Sequence, residues 1–409
     1  ERCSDQLDAE GALVPLDEGA IQTMVEAFAA DGLRVLALAR RHVSADHGEL
    51  SHDHVKGGLT FLGLQGMIDP PRKEVIDAIA GCREAGIRVK MITGDHAVTA
   101  AAVARQIGLA DEGADGIRVV TGRELEEVSD EDLPDLALTT EVFARVAPEQ
   151  KLRLVRALQS RGQIVAMTGD GVNDAPALKQ SDIGIAMGIT GTDVAKGAAD
   201  MILTDDHFAT IAAAVEEGRG VFDNLRKFII WTLPTSLGEG CIILLAILLG
   251  LTLPVLPVQL LWVNMTTALL LGLMLVFEPK ERDLMSRPPR DPAKPLLTFP
   301  LFMRTGLVTS IMIAGAYWVF HVEMKATGET LAEARTAVVN VVVAVENAYL
   351  FCCRSLNHSI FSIGFWTNRF ALLGAAAMTG AQILYTYAPL MNRLFHSTPL
   401  PMESWLRIA

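Results

Sequence analysis

Hydrophobic and polar positions divide the chain into two parts with different periods. Through residues 59–224, short apolar runs alternate with amphipathic segments. Val89-Lys90-Met91-Ile92 and Ile164-Val165-Ala166-Met167 each lead into Thr-Gly-Asp, and amphipathic segments cover 71–85 and 148–160. Strands separated by helices of this length predict βαβ units and a parallel sheet. Ligands of such sheets bind outside the carboxyl ends of the strands, where both Thr-Gly-Asp tripeptides fall. Beyond residue 239 the pattern changes. Residues 240–277 contain 38 positions without Asp, Glu, Lys, Arg or His. That is too long for one membrane span and predicts two, turning near 254–257. The full set of predicted spans is 226–251, 254–277, 299–322, 336–353 and 370–392. Residues 208–228 read as one helix running into the first of them.

Composition agrees with a membrane portion: half of the 409 residues are hydrophobic, yet only 6% are aromatic. The net charge of −13 is unevenly spread, −17 over residues 1–224 and +4 over the rest. An acidic first half excludes nucleic acid as a partner, since that needs a basic face. The basic excess of the second half suits loops beside a lipid bilayer. Lys280, Arg282, Arg287, Arg290 and Lys294 crowd the 278–298 loop, whereas the 254–257 turn has no basic residue. The richer loops are expected in the cytosol, and the α/β half with them. The five cysteines form no CxxC pair, which argues against a disulfide framework or zinc site. The abrupt start at Glu1-Arg2-Cys3 reads as that of a fragment.

The most specific string is Thr168-Gly169-Asp170-Gly171-Val172-Asn173-Asp174-Ala175-Pro176-Ala177-Leu178. Its glycines allow backbone amides to approach a phosphate. Asp170 and Asp174 offer hard oxygen ligands for Mg²⁺, and Asn173 can hydrogen-bond a phosphoryl oxygen. The bland alternative for Asp174 is a residue capping the next helix.

This string resembles the hinge motif of the P-type ATPases. Asp69-Pro70-Pro71-Arg72 is similar to the family's hinge between nucleotide and phosphorylation domains. Met91-Ile92-Thr93-Gly94-Asp95 looks like its second phosphate-facing strand end. Phe143-Ala144-Arg145-Val146-Ala147-Pro148 with Lys151 resembles the segment that supplies the catalytic lysine. Leu33–Ala39, with Arg34, resembles the end of the nucleotide domain. The whole chain can be laid on the calcium-pump-like branch. The resemblance implies an α/β, haloacid-dehalogenase-like phosphorylation domain plus an all-α transmembrane bundle. It divides the chain into 1–68 (remnant of the nucleotide domain), 69–223 (phosphorylation domain) and 224–409 (membrane domain). It also implies ATP and Mg²⁺ as cofactors. Asp170 would hold Mg²⁺, with Asp174 a weaker ligand. Lys151 would neutralise the phosphoryl group, and Arg34, Thr93, Gly94, Asp95, Arg145 and Asn173 would line the nucleotide and phosphate path. No Asp-Lys-Thr-Gly occurs in the 409 residues. By itself the chain is therefore expected to form no phosphoenzyme, and the remaining portion of such a pump is an implied partner.

Two acidic residues sit well inside predicted spans, Glu239 and Glu346. An ionisable group at that depth costs several kcal/mol, so function is the default reading. Pro234 and Gly238 are expected to interrupt their helix and free backbone carbonyls inside the bilayer. Calcium pumps place a Glu, an Asn, a Thr and a later Glu at the positions of Glu239, Asn264, Thr267 and Glu346. Together these resemble an oxygen cage for a hard cation. Ser236 stands where calcium pumps have an Asn, and Ala268 where they have an Asp serving both ion sites. The resemblance thus implies one site, or another ion, with Glu239 and Glu346 exchanging a cation for a proton. The implied protein is a multi-pass protein of the plasma membrane. A phospholipid flippase shares the cytosolic motifs, and a non-pumping nucleotide-binding membrane protein is the alternative from another class.

Overall fold

The computed structural model describes residues 2–43, 52–67, 72–109, 117–295, 298–326, 330–355 and 359–408. The expected hinge at Asp69-Pro70-Pro71 lies outside the described residues. Two compact units emerge, one of Glu1–Ala214 with Met285–Pro289, the other of Val215–Leu284 with Arg290–Ala409.

The described residues of the first unit form ten short strands in three sheets. β1 (Cys3–Leu7), β2 (Leu13–Pro15), β3 (Arg34–Arg40) and β4 (Leu59–Met67) form a mixed sheet in the order β2-β1-β4-β3. Here β1 and β4 are parallel, while β3 and β4 pair antiparallel from Arg34↔Met67 to Arg40↔Thr60. β5 (Met91–Thr93), β6 (Val119–Thr121) and β7 (Val142–Ala144) make a parallel sheet in the order β5-β7-β6. β8 (Ala166–Gly169), β9 (Ile183–Met187) and β10 (Met201–Leu203) make another in the order β8-β9-β10. The sequence pattern leads to one parallel sheet; the chain builds two, with β5 and β8 as edge strands.

The helices of this unit are α1 (Glu18–Ala30), α2 (Lys73–Glu84), α3 (Ala97–Gln106), α4 (Gly122–Glu127), α5 (Leu133–Thr139), α6 (Pro148–Ser160), α7 (Ala175–Gln180) and α8 (Asp193–Ala198). Their starts follow from local chemistry. Thr121 and Glu124 form a reciprocal capping box on α4, and α6 opens on Pro148, whose missing N–H is not needed there. The fully buried Val142 and Ala144 of β7 pack with Ile79, Ala100 and Ala104 of the flanking helices, whereas Phe143 points to the other face against Leu125 and Leu154. That alternation is the two-residue period of a strand covered on both sides.

The second unit is helical. α9 (Phe208–Leu248), α10 (Pro257–Leu270), α11 (Phe299–Lys325) and α12 (Leu331–Cys353) precede α13 (Ile360–Ile363), α14 (Arg369–Tyr387), α15 (Pro389–Phe395) and α16 (Met402–Ile408). Among the described residues, four helical stretches are long and apolar enough to cross a membrane: Phe208–Leu248, Pro257–Phe277, Phe299–Lys325 and Leu331–Cys353. The expected fifth span, 370–392, is not among them. α14 alone covers most of that segment, Arg369–Tyr387, and α15 follows where Pro389 succeeds Ala388, which has left the helical conformation. α12 is the most enclosed of the four, with Val338, Val339 and Val342 in the main apolar cluster beside Ile242 of α9 and Met312 of α11.

Candidate functional site

The residues expected to face phosphate lie where their strands end. Gly169 closes β8, Asp170 and Gly171 follow, and Val172–Asp174 make a single tight turn before α7. Asp174 is buried, with 6% of its surface exposed. Its Oδ2 accepts from the amides of Asp170 (3.3 Å) and Gly171 (3.2 Å). Its Oδ1 accepts from Lys151 Nζ at 2.6 Å. Gly169 is required by this packing, because a Cβ there would stand 2.5 Å from the Cβ of Asp174. Asp174 thus holds the loop closed and aims the lysine of α6, so both of its oxygens are committed. Asp170 and Asn173 are exposed at the mouth, and the carboxylate of Asp170 takes no hydrogen bond among the described residues. Of the two carboxylates, Asp170 fits a hard cation better.

Thr93, Gly94 and Asp95 continue from β5. Thr93 Oγ1 and Asp95 Oδ2 share a hydrogen bond of 3.0 Å, and Asp95 N donates back to Thr93 Oγ1 at 3.1 Å. Arg145, just past β7, adopts a left-handed φ of 53° and leaves its side chain exposed. The next residue, Val146, donates its amide to Thr93 O at 3.3 Å. Helix α6 connects this group with the first: Gln150 Nε2 donates to Gly122 O (2.7 Å), and Lys151 reaches Asp174. Arg34 opens β3; its side chain lies outside the described residues.

In the helical unit, α9, α10 and α12 bring Glu239, Asn264, Thr267 and Glu346 together. Asn264 Nδ2 donates to Glu239 Oε2 at 2.5 Å. Glu346, 1% exposed, lies against both Glu239 and Thr267, and its Oε2 is buried without a partner among the described residues. Thr267 Oγ1 donates to Val263 O at 2.9 Å. Ser236, one turn before Glu239, is exposed and is not brought into this group. No cluster of three or more His, Cys, Asp or Glu suited to a metal occurs among the described residues. The group therefore relies on two carboxylates plus amide and hydroxyl oxygens.

The expectation of an interrupted helix needs correction, since α9 runs unbroken through Pro234. Proline has no N–H, so Ile230 O loses its i+4 donor. Tyr349 OH of α12 donates to that carbonyl instead, at 3.1 Å, and Thr309 Oγ1 donates to Pro234 O at 3.1 Å. Trp231 Nε1 donates to Glu346 O at 3.1 Å. The carbonyl freed by proline is thus used to join α9 to α12 beside the two glutamates. Sequence reading missed Tyr349 and Trp231, although a proline inside a membrane helix signals that a donor is needed four residues earlier. It also missed a buried network in which Arg354 Nε and Nη2 donate to Glu278 at 3.0–3.2 Å and Arg354 Nη2 donates to Thr367 Oγ1 at 2.7 Å. Asn368 Nδ2 adds a bond of 2.7 Å to Glu278 Oε2.

The chain thus combines a parallel-sheet unit, with Thr-Gly-Asp loops after two strand ends, and apolar helices that gather two carboxylates. Two sequence families match it: haloacid dehalogenase-like hydrolase over residues 9–182, and cation transporting ATPase, C-terminus, over residues 252–409. Nearly the whole chain is thus similar to cation-transporting ATPases, and it is a membrane protein. It is 55% identical to the probable cation-transporting ATPase F of Mycobacterium tuberculosis over 408 residues, which are 99% of this chain and 45% of that protein. It is 47% identical to cation-transporting ATPase pma1 of Synechocystis, covering 99% of this chain and 45% of the relative. It is 40% identical to calcium-transporting ATPase 1 of Bacillus cereus, covering 96% and 45%. The chain thus spans about half the length of the curated relatives it matches.

Proposed function

We propose that the chain supplies the phosphate-facing and ion-binding parts of a pump that uses ATP to move a hard cation across the plasma membrane through an aspartyl phosphate. The observation that carries the transport reading is the meeting of Glu239, Asn264, Thr267 and Glu346 inside apolar helices, with one carboxylate oxygen of Glu346 left without a partner. Buried charge without a purpose is costly, and an oxygen cage is what a hard cation needs. With Ala268 and an exposed Ser236 beside them, two carboxylates support a single site. Cation entry is read as displacing protons from Glu239 and Glu346, which makes the protons a countertransported species.

On the cytosolic side, Lys151 is aimed by Asp174 and neutralises charge on the phosphoryl group during transfer. Asp170 would hold Mg²⁺, which when bound supplies further neutralisation of phosphoryl oxygens. Thr93, Gly94, Asp95, Arg145 and Asn173 border the path of the phosphates, with Arg34 toward the nucleotide. The acceptor aspartate is read as lying on a further parallel strand, outside these 409 residues, that pairs with the edge strands β5 and β8. Placed there, it would end beside both Thr-Gly-Asp loops.

The test is ATPase activity of the full-length protein across Ca²⁺, Mn²⁺, Na⁺ and K⁺ at several pH values. One of these ions should stimulate turnover, and Glu239→Gln should abolish that stimulation and flatten its pH dependence. Unchanged stimulation and pH profile in Glu239→Gln would remove the glutamates from the ion path.

A further inference from the structure

Three neighbouring strands, β8, β9 and β10, end side by side, and the loops that follow them meet there. Leu203 at the end of β10 pairs with Met187 at the end of β9. Just past β10, Asp206 adopts a left-handed φ of 52°, which aspartate tolerates because its short side chain can bond the local backbone. Its carboxylate reaches the loop after β9. Oδ1 accepts from the amides of Gly188 (2.7 Å) and Ile189 (3.0 Å), and Oδ2 accepts from the amide and the hydroxyl of Thr190, both at 2.8 Å. Its neighbour Asp205 is used differently, accepting from His207 N and Thr210 Oγ1 at the start of α9. The loop is also held at its base. Leu203 O accepts from Gly188 N at 2.9 Å, and a Cβ on Gly191 would collide with Met187 O. Where the loop ends, Thr192 N donates to Asp170 O at 2.8 Å. Asp170 N in turn donates to Asp174 Oδ2 at 3.3 Å, so both main-chain polar groups of Asp170 are engaged. With no hydrogen bond to the Asp170 carboxylate among the described residues, its place is set by the backbone beneath it.

We propose that Asp206 is a positioning residue for the Mg²⁺ site: through the 188–190 amides and Thr192 it fixes the backbone that carries Asp170. The inference rests on the reading of Asp170 as the Mg²⁺ ligand. Asp206 is not itself a ligand, since its two oxygens already accept four bonds. Mg²⁺ demands near-ideal octahedral geometry, so a small displacement of one carboxylate is costly. Loss of groups that orient a metal ligand typically lowers metal affinity about 10–100-fold.

The test is hydrogen exchange of the full-length protein, read by mass spectrometry over 168–174 and 188–192. Magnesium chloride is titrated against choline chloride of equal ionic strength. Mg²⁺ should slow exchange over 168–174, and Asp206→Ala should raise the Mg²⁺ concentration at the midpoint about tenfold. Asp206→Asn, which keeps one oxygen for Gly188 and Ile189, should recover part of that shift. Thr192→Pro removes the N–H of the last link, at a φ of −70° that proline accepts. It should raise the midpoint while leaving the 188–190 amides protected. Asp200→Ala is the structural control: its Oδ2 accepts from Gly184 N at 2.8 Å, toward the amino end of β9, so its loss should cost stability without moving the midpoint. Asp170→Asn separates the two claims. If it leaves the Mg²⁺ response intact, the ligand reading fails and the inference falls with it. If it abolishes the response while Asp206→Ala keeps the wild-type midpoint, the positioning inference alone is overturned. An equal shift in Asp200→Ala would also overturn it, by reducing Asp206 to a structural role.

Discussion

The bond from Tyr349 OH to Ile230 O is testable because the same proline that creates the need for it can be removed. Both residues are buried, at 7% and 5% exposure, and the bond is 3.1 Å long. Tyr349→Phe keeps the ring and deletes only the hydroxyl. Leaving a buried acceptor unsatisfied costs about 1–3 kcal/mol in soluble proteins. Hydrogen bonds between membrane helices average nearer 0.6 kcal/mol, because the unfolded helices find other partners. Here Ile230 O has no amide at position 234 to return to, so the cost should fall toward the upper side of that membrane range, about 1 kcal/mol. In Pro234→Ala the helix regains its N–H, Ile230 O is satisfied without the tyrosine, and Tyr349→Phe should then cost only a few tenths of a kcal/mol. The assay is reversible unfolding in mixed detergent for the four combinations, analysed as a double-mutant cycle. Equal cost of Tyr349→Phe with and without the proline would refute the idea that Tyr349 replaces the missing helix donor.

Two further predictions concern ion pairs and pH. Arg354 is fully enclosed and Glu278 nearly so, at 0% and 3% side-chain exposure. Arg354→Met alone should destabilise the helical unit by about 3–5 kcal/mol by stranding a buried carboxylate, and the double change with Glu278→Gln should recover much of that in the same unfolding assay. Asp206 accepts from the amides of Gly188, Ile189 and Thr190, and these bonds hold its carboxyl down at about 2. A depressed carboxyl stabilises the folded state above its unfolded value near 4, and the contribution is lost as pH falls through 2. Asp206→Ala should remove this acid-side dependence, and hydrogen exchange of the 188–190 amides at neutral pH should accelerate.

Much of the α/β half was legible because its signals are local. Pro148 at the first position of α6 acts within one turn of chain, and the amphipathic segment read over 148–160 is the helix Pro148–Ser160. The position of Asp170 and Asp174 after a strand was readable for the same reason. Their unequal environments were not. Lys151 is 23 residues from Asp174 in the chain, and only folding decides that it engages one aspartate at 2.6 Å and leaves the other free. Sheet number was likewise hidden, because strand order is a matter of long-range pairing and the local pattern of β5 or β8 is the same at an edge as in a centre.

In the helical half, the lack of ionisable side chains over 240–277 was enough to predict membrane helices, since solvent preference is set by composition over about 20 residues. The segment 370–392 is helical too, in two pieces that part at Pro389: α14 reaches Tyr387 and α15 starts at Pro389. Glu239 and Glu346 stood out from sequence because burying charge in an apolar run has a cost whatever the fold. That they meet, that Asn264 joins them while Ser236 does not, and that Tyr349 takes up the carbonyl released by Pro234 was decided by tertiary packing alone. The physical reason is common to all of these cases. Sequence fixes what each segment must bury or satisfy, but its partners lie on other helices, and only the packing of those helices selects them.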